Sequence, residues 1–226
     1  ISGSTDVSDE PFVPNDPSDE SLKDGLIAEY LFNGNLNDSK DKTKQVEIIA
    51  ADNDNTSKIV KDSDRGNVME MRGTWQATGY LKLDNSYLNE INDAFTVTMW
   101  AKANNSKTDE PSQTDALNKN KCGPGQSIFN FKTTSDSAKP DNSHAMGFVS
   151  LDVSFNPFIN DGKGNWNDRE NDAVALSSSN WQQVTMSIDG TNNKIYIYVD
   201  GQLSKTVDGL GGGTCADLLA SIKENT

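Results

Sequence analysis

A chain of 226 residues with a net charge of −14 and an isoelectric point near 4.4 is long enough to bury a real core as one large all-β domain. Such acidity excludes nucleic acid as a partner, because phosphates need clustered Lys and Arg, and it argues against an anionic membrane surface. No apolar run approaches the roughly 20 residues of a membrane span, while calcium and neutral glycans both tolerate the charge.

The chain opens at Ile1 without a methionine, so a removed leader, a lipid-anchor segment or an upstream domain is expected before it. From Asp6 to Asp24, "DVSDEPFVPNDPSDESLKD" holds seven acids, one lysine and three prolines. Self-repulsion and proline stiffness make this an extended linker, so residues 1–24 are assigned to it and a covalently linked neighbouring domain is implied. Residues 25–226 form the domain proper.

That domain begins with Leu26, Ala28, Tyr30 and Phe32, alternating as a strand requires, and then breaks into "NGNLNDSKD". "VEII" at 46–49, "GNVMEMRG" at 66–73 and "GYLKL" at 79–83 read as further strands. "AFTVTMWAKA" at 94–103 is the clearest of all, with Phe95, Val97 and Met99 on one face and Thr96, Thr98 and Trp100 on the other. The polar stretch 104–125 is too long for a hairpin and reads as a large loop. "SIFNFK", "MGFVSLDVSF" and "AVALSS" resume the strand pattern. "WQQVTMSIDGTNNKIYIYVDGQLSKTV" is then a strong hairpin with a second turn at Asp200 and Gly201. "TCADLLASIKEN" predicts a short helix capped by Thr214 with Asp217, its Leu218, Leu219 and Ile222 sharing a face. About ten strands and little helix make an all-β, two-sheet antiparallel β-sandwich.

"GLIAEYLFNGNLNDS", "GNVMEMRG" before "GYLKL", "FTVTMWAKA" and "NWQQVTMSIDGTNNKIYIYVDGQ", in that order from Gly25 to about Thr206, resemble the laminin G-like jelly rolls of the concanavalin A-like lectin and glucanase superfamily. The resemblance implies two curved antiparallel sheets, often a structural calcium, and a place in secreted bacterial glycoside hydrolases, carbohydrate-binding modules or adhesins. Such domains usually close with a strand of the type G-x-I-D-D-V-x-I-Y. Nothing after Thr206 matches it, so the jelly roll is expected either to lack its last strand in this chain or to hold it in sequence outside it.

Calcium prefers six to eight oxygens at a sharp bend, and the turn after the first strand supplies Asn35, Asn37 and Asp38, the segment to which the resemblance also points. The alternative is a turn whose Asn and Asp side chains bond their own backbone. Glucanases need two carboxylates flanking the scissile bond. Glu70 has Val68 and Arg72 as same-face neighbours and Asp152 has Ser150 and Ser154, so no catalytic residue is assigned. A glycan binder needs aromatic faces for sugar rings and amides or carboxylates for hydroxyls. Trp75 and Trp166 lie in polar, glycine-containing stretches, and Asn165, Asn167, Asp168 and Arg169 flank the second, so these six are the expected ligand residues. Trp100 and Trp181 fall within strand motifs and are expected in the core. Cys122 and Cys215 either pair in an oxidising compartment or remain two thiols.

The sequence therefore reads as a non-catalytic, extracellular or cell-surface carbohydrate-binding module, appended to a glycoside hydrolase and binding a polysaccharide or oligosaccharide. An adhesion module with a protein partner is the alternative, and a glucanase-like enzyme the third reading.

Overall fold

The computed structural model describes residues 24–49, 57–71, 80–102, 126–132, 145–151, 154–160, 166–168, 174–175, 180–208 and 214–224. The expected linker through residue 23, the expected loop at 104–125, Cys122 and Asp152 lie outside them. The strands of the first half are β1 (Glu47–Ile49), β2 (Lys58–Asp62), β3 (Gly66–Glu70), β4 (Tyr80–Lys82), β5 (Ala94–Ala101) and β6 (Gln126–Lys132). They are followed by β7 (Ala145–Leu151), β8 (Ser154–Asn160), β9 (Trp166–Asp168), β10 (Val174–Ala175), β11 (Gln182–Asp189), β12 (Lys194–Val199) and β13 (Gln202–Asp208). A 3-10 helix, Asn85–Glu90, precedes β5, and one α-helix, α1 (Cys215–Glu224), follows β13.

All described pairings are antiparallel. One sheet runs β13-β12-β11-β5, a second runs β10-β8-β7-β6 with β9 also on β8, and β1-β4 and β2-β3 form two ribbons. None of the described helices is long and apolar enough to cross a membrane.

The four-stranded sheet shows why its sequence alternates. Val184, Met186 and Ile188 of β11 and Ile195 and Ile197 of β12 are buried, and register sets Met186 opposite Ile197 and Ile188 opposite Ile195. Each such pair packs branched or flexible apolar side chains across one face, where burial stabilises by about 1.5–3 kcal/mol per side chain. The same face takes helix α1. Cys215, Leu218, Leu219 and Ile222, at i, i+3, i+4 and i+7, are all buried in one cluster with these strand residues and Ile91.

The helix is fixed at its start. Thr214 Oγ1 accepts from Asp217 N at 3.1 Å, and Asp217 Oδ2 accepts from Thr214 N at 3.1 Å, a reciprocal cap. Asn193, left-handed at φ 55 in the β11–β12 turn, accepts from Cys215 N through Oδ1 at 2.8 Å. The Cys215 thiol is free and buried, and burial, then the charge of Asp189, pushes its pKa to about 11.

Gly190 in the same turn donates its N–H to Asp93 O at 2.8 Å. A Cβ at Gly190 would meet that carbonyl oxygen at 2.8 Å and Leu219 Cδ1 at 3.2 Å. The carbonyl belongs to backbone and cannot swing aside. Gly190→Ala is therefore expected to cost about 1–3 kcal/mol in chemical denaturation; an unchanged midpoint would show that the turn has slack.

Two sequence expectations are corrected and one strand is added. The strand expected over 26–32 is a single bridge, Tyr30 to Asp38, because Phe32 turns left-handed at φ 55. Strand β2 was not anticipated, since "KIVKD" has only two apolar residues in sequence. Trp100, expected in the core, is 40% exposed, because it follows Thr96 and Thr98 on the outward row of β5.

Candidate functional site

The asparagine-rich turn is held by its own backbone and by one carboxylate. Asp38 N donates to Lys44 O at 3.0 Å, Val46 N to Leu36 O at 2.8 Å, and Ser39 N to Glu29 O at 2.8 Å. This folds the segment back on itself and carries the Asp38 side chain inward, where it is 0% exposed. Its Oδ1 accepts from Glu29 N at 3.0 Å and Lys40 N at 2.9 Å, and its Oδ2 accepts from the Tyr87 hydroxyl. Burial opposes the charge, but Tyr87 and the surrounding N–H groups outweigh it, so the carboxyl lies below its ordinary range.

Tyr87 comes from the 3-10 helix, which Asp84 caps by accepting from Ser86 N at 2.8 Å. Lys44 Nζ lies 4.0 Å from the centre of the Tyr87 ring and donates to Ser86 Oγ at 2.8 Å. Burial first, then the bond to Asp38, raises the Tyr87 phenol far above the usual tyrosine value. The Tyr30 hydroxyl is buried alongside and senses Tyr87 without meeting hydrogen-bond geometry.

These contacts bear on calcium. Asn35 Oδ1 accepts from Asn37 N at 2.9 Å, and both Asp38 oxygens are occupied by protein donors. Among the described residues no group of three or more His, Cys, Asp or Glu is arranged to hold a metal. Asn35, Asn37 and Asp38 fit a self-bonded turn, and a cation there would share the Asp38 carboxylate with three protein donors.

The expected ligand residues separate. Trp75, Asn165 and Arg169 lie outside the described residues. Trp166, Asn167 and Asp168 form β9 rather than a loop, paired with Asn160, Ile159 and Phe158 of β8. Glu70, the carboxylate considered for catalysis, ends β3 opposite Lys58.

A further cluster escaped sequence reading. The β2–β3 turn is shaped by Asp62, whose Oδ1 accepts from Asp64 N at 2.9 Å and Arg65 N at 3.1 Å. Trp181 Nε1 donates to the same oxygen at 3.0 Å, and Lys102 Nζ lies 3.4 Å from Oδ2. The turn N–H of Asp64 foremost, with Trp181, Arg65 and Lys102, lowers the Asp62 pKa. Arg65 is thereby carried over Trp100, its guanidinium carbon 3.7 Å from the ring centre. The turn lies 35 positions or more from Trp100, Lys102 and Trp181, so only the topology unites them with it.

The family model described as the Concanavalin A-like lectin/glucanases superfamily matches residues 75–219, more than half of the chain. Comparison with curated proteins gives no match. Among solved structures, the chain is similar to Domain 4 of AbnA, a GH43 extracellular arabinanase from Geobacillus stearothermophilus, in complex with arabinotriose. The identity is 16%, the TM-score 0.51, and the match covers 84% of this chain and 80% of that one. At that identity the likeness speaks for the fold. The family match does more, and with the antiparallel sheets it shows that the chain belongs to the concanavalin A-like lectin and glucanase superfamily as a laminin G-like domain.

Proposed function

We propose that the chain is a non-catalytic carbohydrate-binding module of a secreted or cell-surface bacterial protein, joined through its acidic N-terminal segment to a glycoside hydrolase. The observation that carries the reading is the likeness in fold to a domain solved with arabinotriose, within a superfamily described by its lectins and glucanases. The four-stranded and five-stranded sheets are proposed to be the two layers of a jelly roll.

In this reading Trp75 and Trp166 stack on sugar rings while Asn165, Asn167, Asp168 and Arg169 orient hydroxyls. An aromatic contact of this kind contributes roughly 1–2 kcal/mol, so Trp166→Ala is expected to weaken binding about tenfold. The measurement is retardation in native gels containing arabinan, other neutral polysaccharides or none, with melting temperature as a control. Normal retardation of the variant, or a loss of several degrees in melting, would assign Trp166 a structural role instead.

A structural calcium remains part of the proposal through the oxygen donors of Asn35 and Asn37, with Asp38 Oδ2 shared between the ion and the Tyr87 hydroxyl. Melting in chelator and in excess calcium tests it. A higher melting temperature with calcium supports the ion by mass action, and coincident curves leave the turn to hydrogen bonds alone.

A further inference from the structure

We infer that the β2-β3 ribbon is an acid-released strap: the Asp62 carboxylate latches its turn to the ends of β5 and β11, and protonating that carboxylate frees the ribbon while the four-stranded sheet stays folded. The inference stands apart from the carbohydrate-binding reading.

The ribbon lies outside the core. Among the described strands β2 and β3 pair only with each other. Their apolar side chains, Ile59, Val60, Val68 and Met69, are half-buried at most, and among the described residues none of the two strands joins the cluster that ties the four-stranded sheet to α1. Asn67 adds a van der Waals approach to the asparagine-rich turn, its Nδ2 3.7 Å from where a Gly34 Cβ would stand.

Stronger ties converge on the β2–β3 turn. The Asp62 side chain is only 16% exposed, and its Oδ1 accepts from Asp64 N at 2.9 Å and Arg65 N at 3.1 Å, which shapes the turn. The same oxygen accepts from Trp181 Nε1 at 3.0 Å, one residue before β11, and Lys102 Nζ, one residue after β5, lies 3.4 Å from Oδ2. Arg65 is set over Trp100 of β5, 3.7 Å from the ring centre, and stands 5.8 Å from that of Trp181. One side chain thus builds the turn and fastens it to two strands of another sheet.

Charge makes the latch strong. An ionised carboxylate accepts from all four donors, whereas a protonated one turns an oxygen into a donor and loses its attraction for Lys102 and Arg65. The charged groups around Asp62 are Asp64 and Arg65 on its own turn and Lys102 at the end of β5; past Trp181, Asp200 is occupied by Gln183 N at 2.8 Å. The Asp64 N–H first, then Trp181, Arg65 and Lys102, hold Asp62 below the ordinary carboxyl range against desolvation. The latch is therefore complete above about pH 4 and is lost as pH falls through that lowered value. Release bares the Trp100 indole and takes no contact from the core cluster.

Hydrogen exchange of the whole chain, read by mass spectrometry near neutral pH, tests the strap in the parent and in Asp62→Asn. Asparagine keeps the shape of the protonated acid, so the amides of 58–70 are expected to exchange about fivefold or more faster, with β11 and β12 as in the parent. A second measurement needs no change at Asp62: acrylamide quenching of the parent should rise below about pH 4, ahead of any loss of far-UV circular dichroism, and Trp100→Phe should lose most of that rise. Ribbon exchange unchanged in Asp62→Asn, ribbon and sheet opening together, or quenching that rises only with the loss of circular dichroism would each overturn the strap.

Discussion

Replacing Asp38 by alanine is expected to lower the unfolding free energy by about 3–5 kcal/mol, because it strands the N–H groups of Glu29 and Lys40 and the Tyr87 hydroxyl at once. For a domain of this size that is a fall of roughly 10 °C in melting temperature. Tyr87→Phe removes one of the three contacts and is expected to cost about 1–3 kcal/mol. The pH dependence follows from the same residues. The Asp38 carboxyl is depressed, so its contribution is complete above the unfolded carboxyl value and is lost as pH falls below about 4. The phenols of Tyr87 and Tyr30 are raised, so the unfolded chain ionises first and stability falls again as pH rises above about 10. Asp38→Asn should flatten the acid limb in urea titrations taken across pH. An acid limb of unchanged slope would mean that Asp38 does not carry the network.

Leu219→Ala is expected to cost about 2–4 kcal/mol, as deletion of a buried side chain from a packed core does. Leu219 is 3% exposed and shares its cluster with Met186, Ile188, Ile195 and Ile197, which makes α1 part of the sheet's core and not a tail beyond it. Because Leu219 Cδ1 borders Gly190, the double variant with Gly190→Ala should lose less than the sum of the two. The clash with Asp93 O remains, so relief is partial. A cost below about 0.5 kcal/mol for Leu219→Ala, the level of a surface change, would detach the helix from the core.

Where local chemistry decides the structure, the sequence was legible. Period-2 alternation located β5, β11 and β12, and "DG" at 200–201 gave a hairpin turn with both residues at positive φ, 50 and 75. Thr214 and Asp217 marked the helix start. The misses depend on distant partners. The Tyr87 hydroxyl that meets the buried Asp38 lies 49 positions on, beyond what a local reading of the asparagine-rich turn reveals. Trp100 sits in a family-like strand motif, but the face it occupies is set by Thr96 and Thr98, and its covering comes from Arg65 across the fold. Only burial and register distinguish these from the readings that sequence favoured.

Binding to arabinan measures the central claim most directly. Titration calorimetry of the 226-residue chain with arabinan, and native gels containing it, should show saturable binding and retardation that Trp166→Ala weakens about tenfold at unchanged melting temperature. Mobility identical with and without arabinan and every other neutral polysaccharide tried, from protein that melts cooperatively, would contradict the carbohydrate-binding account.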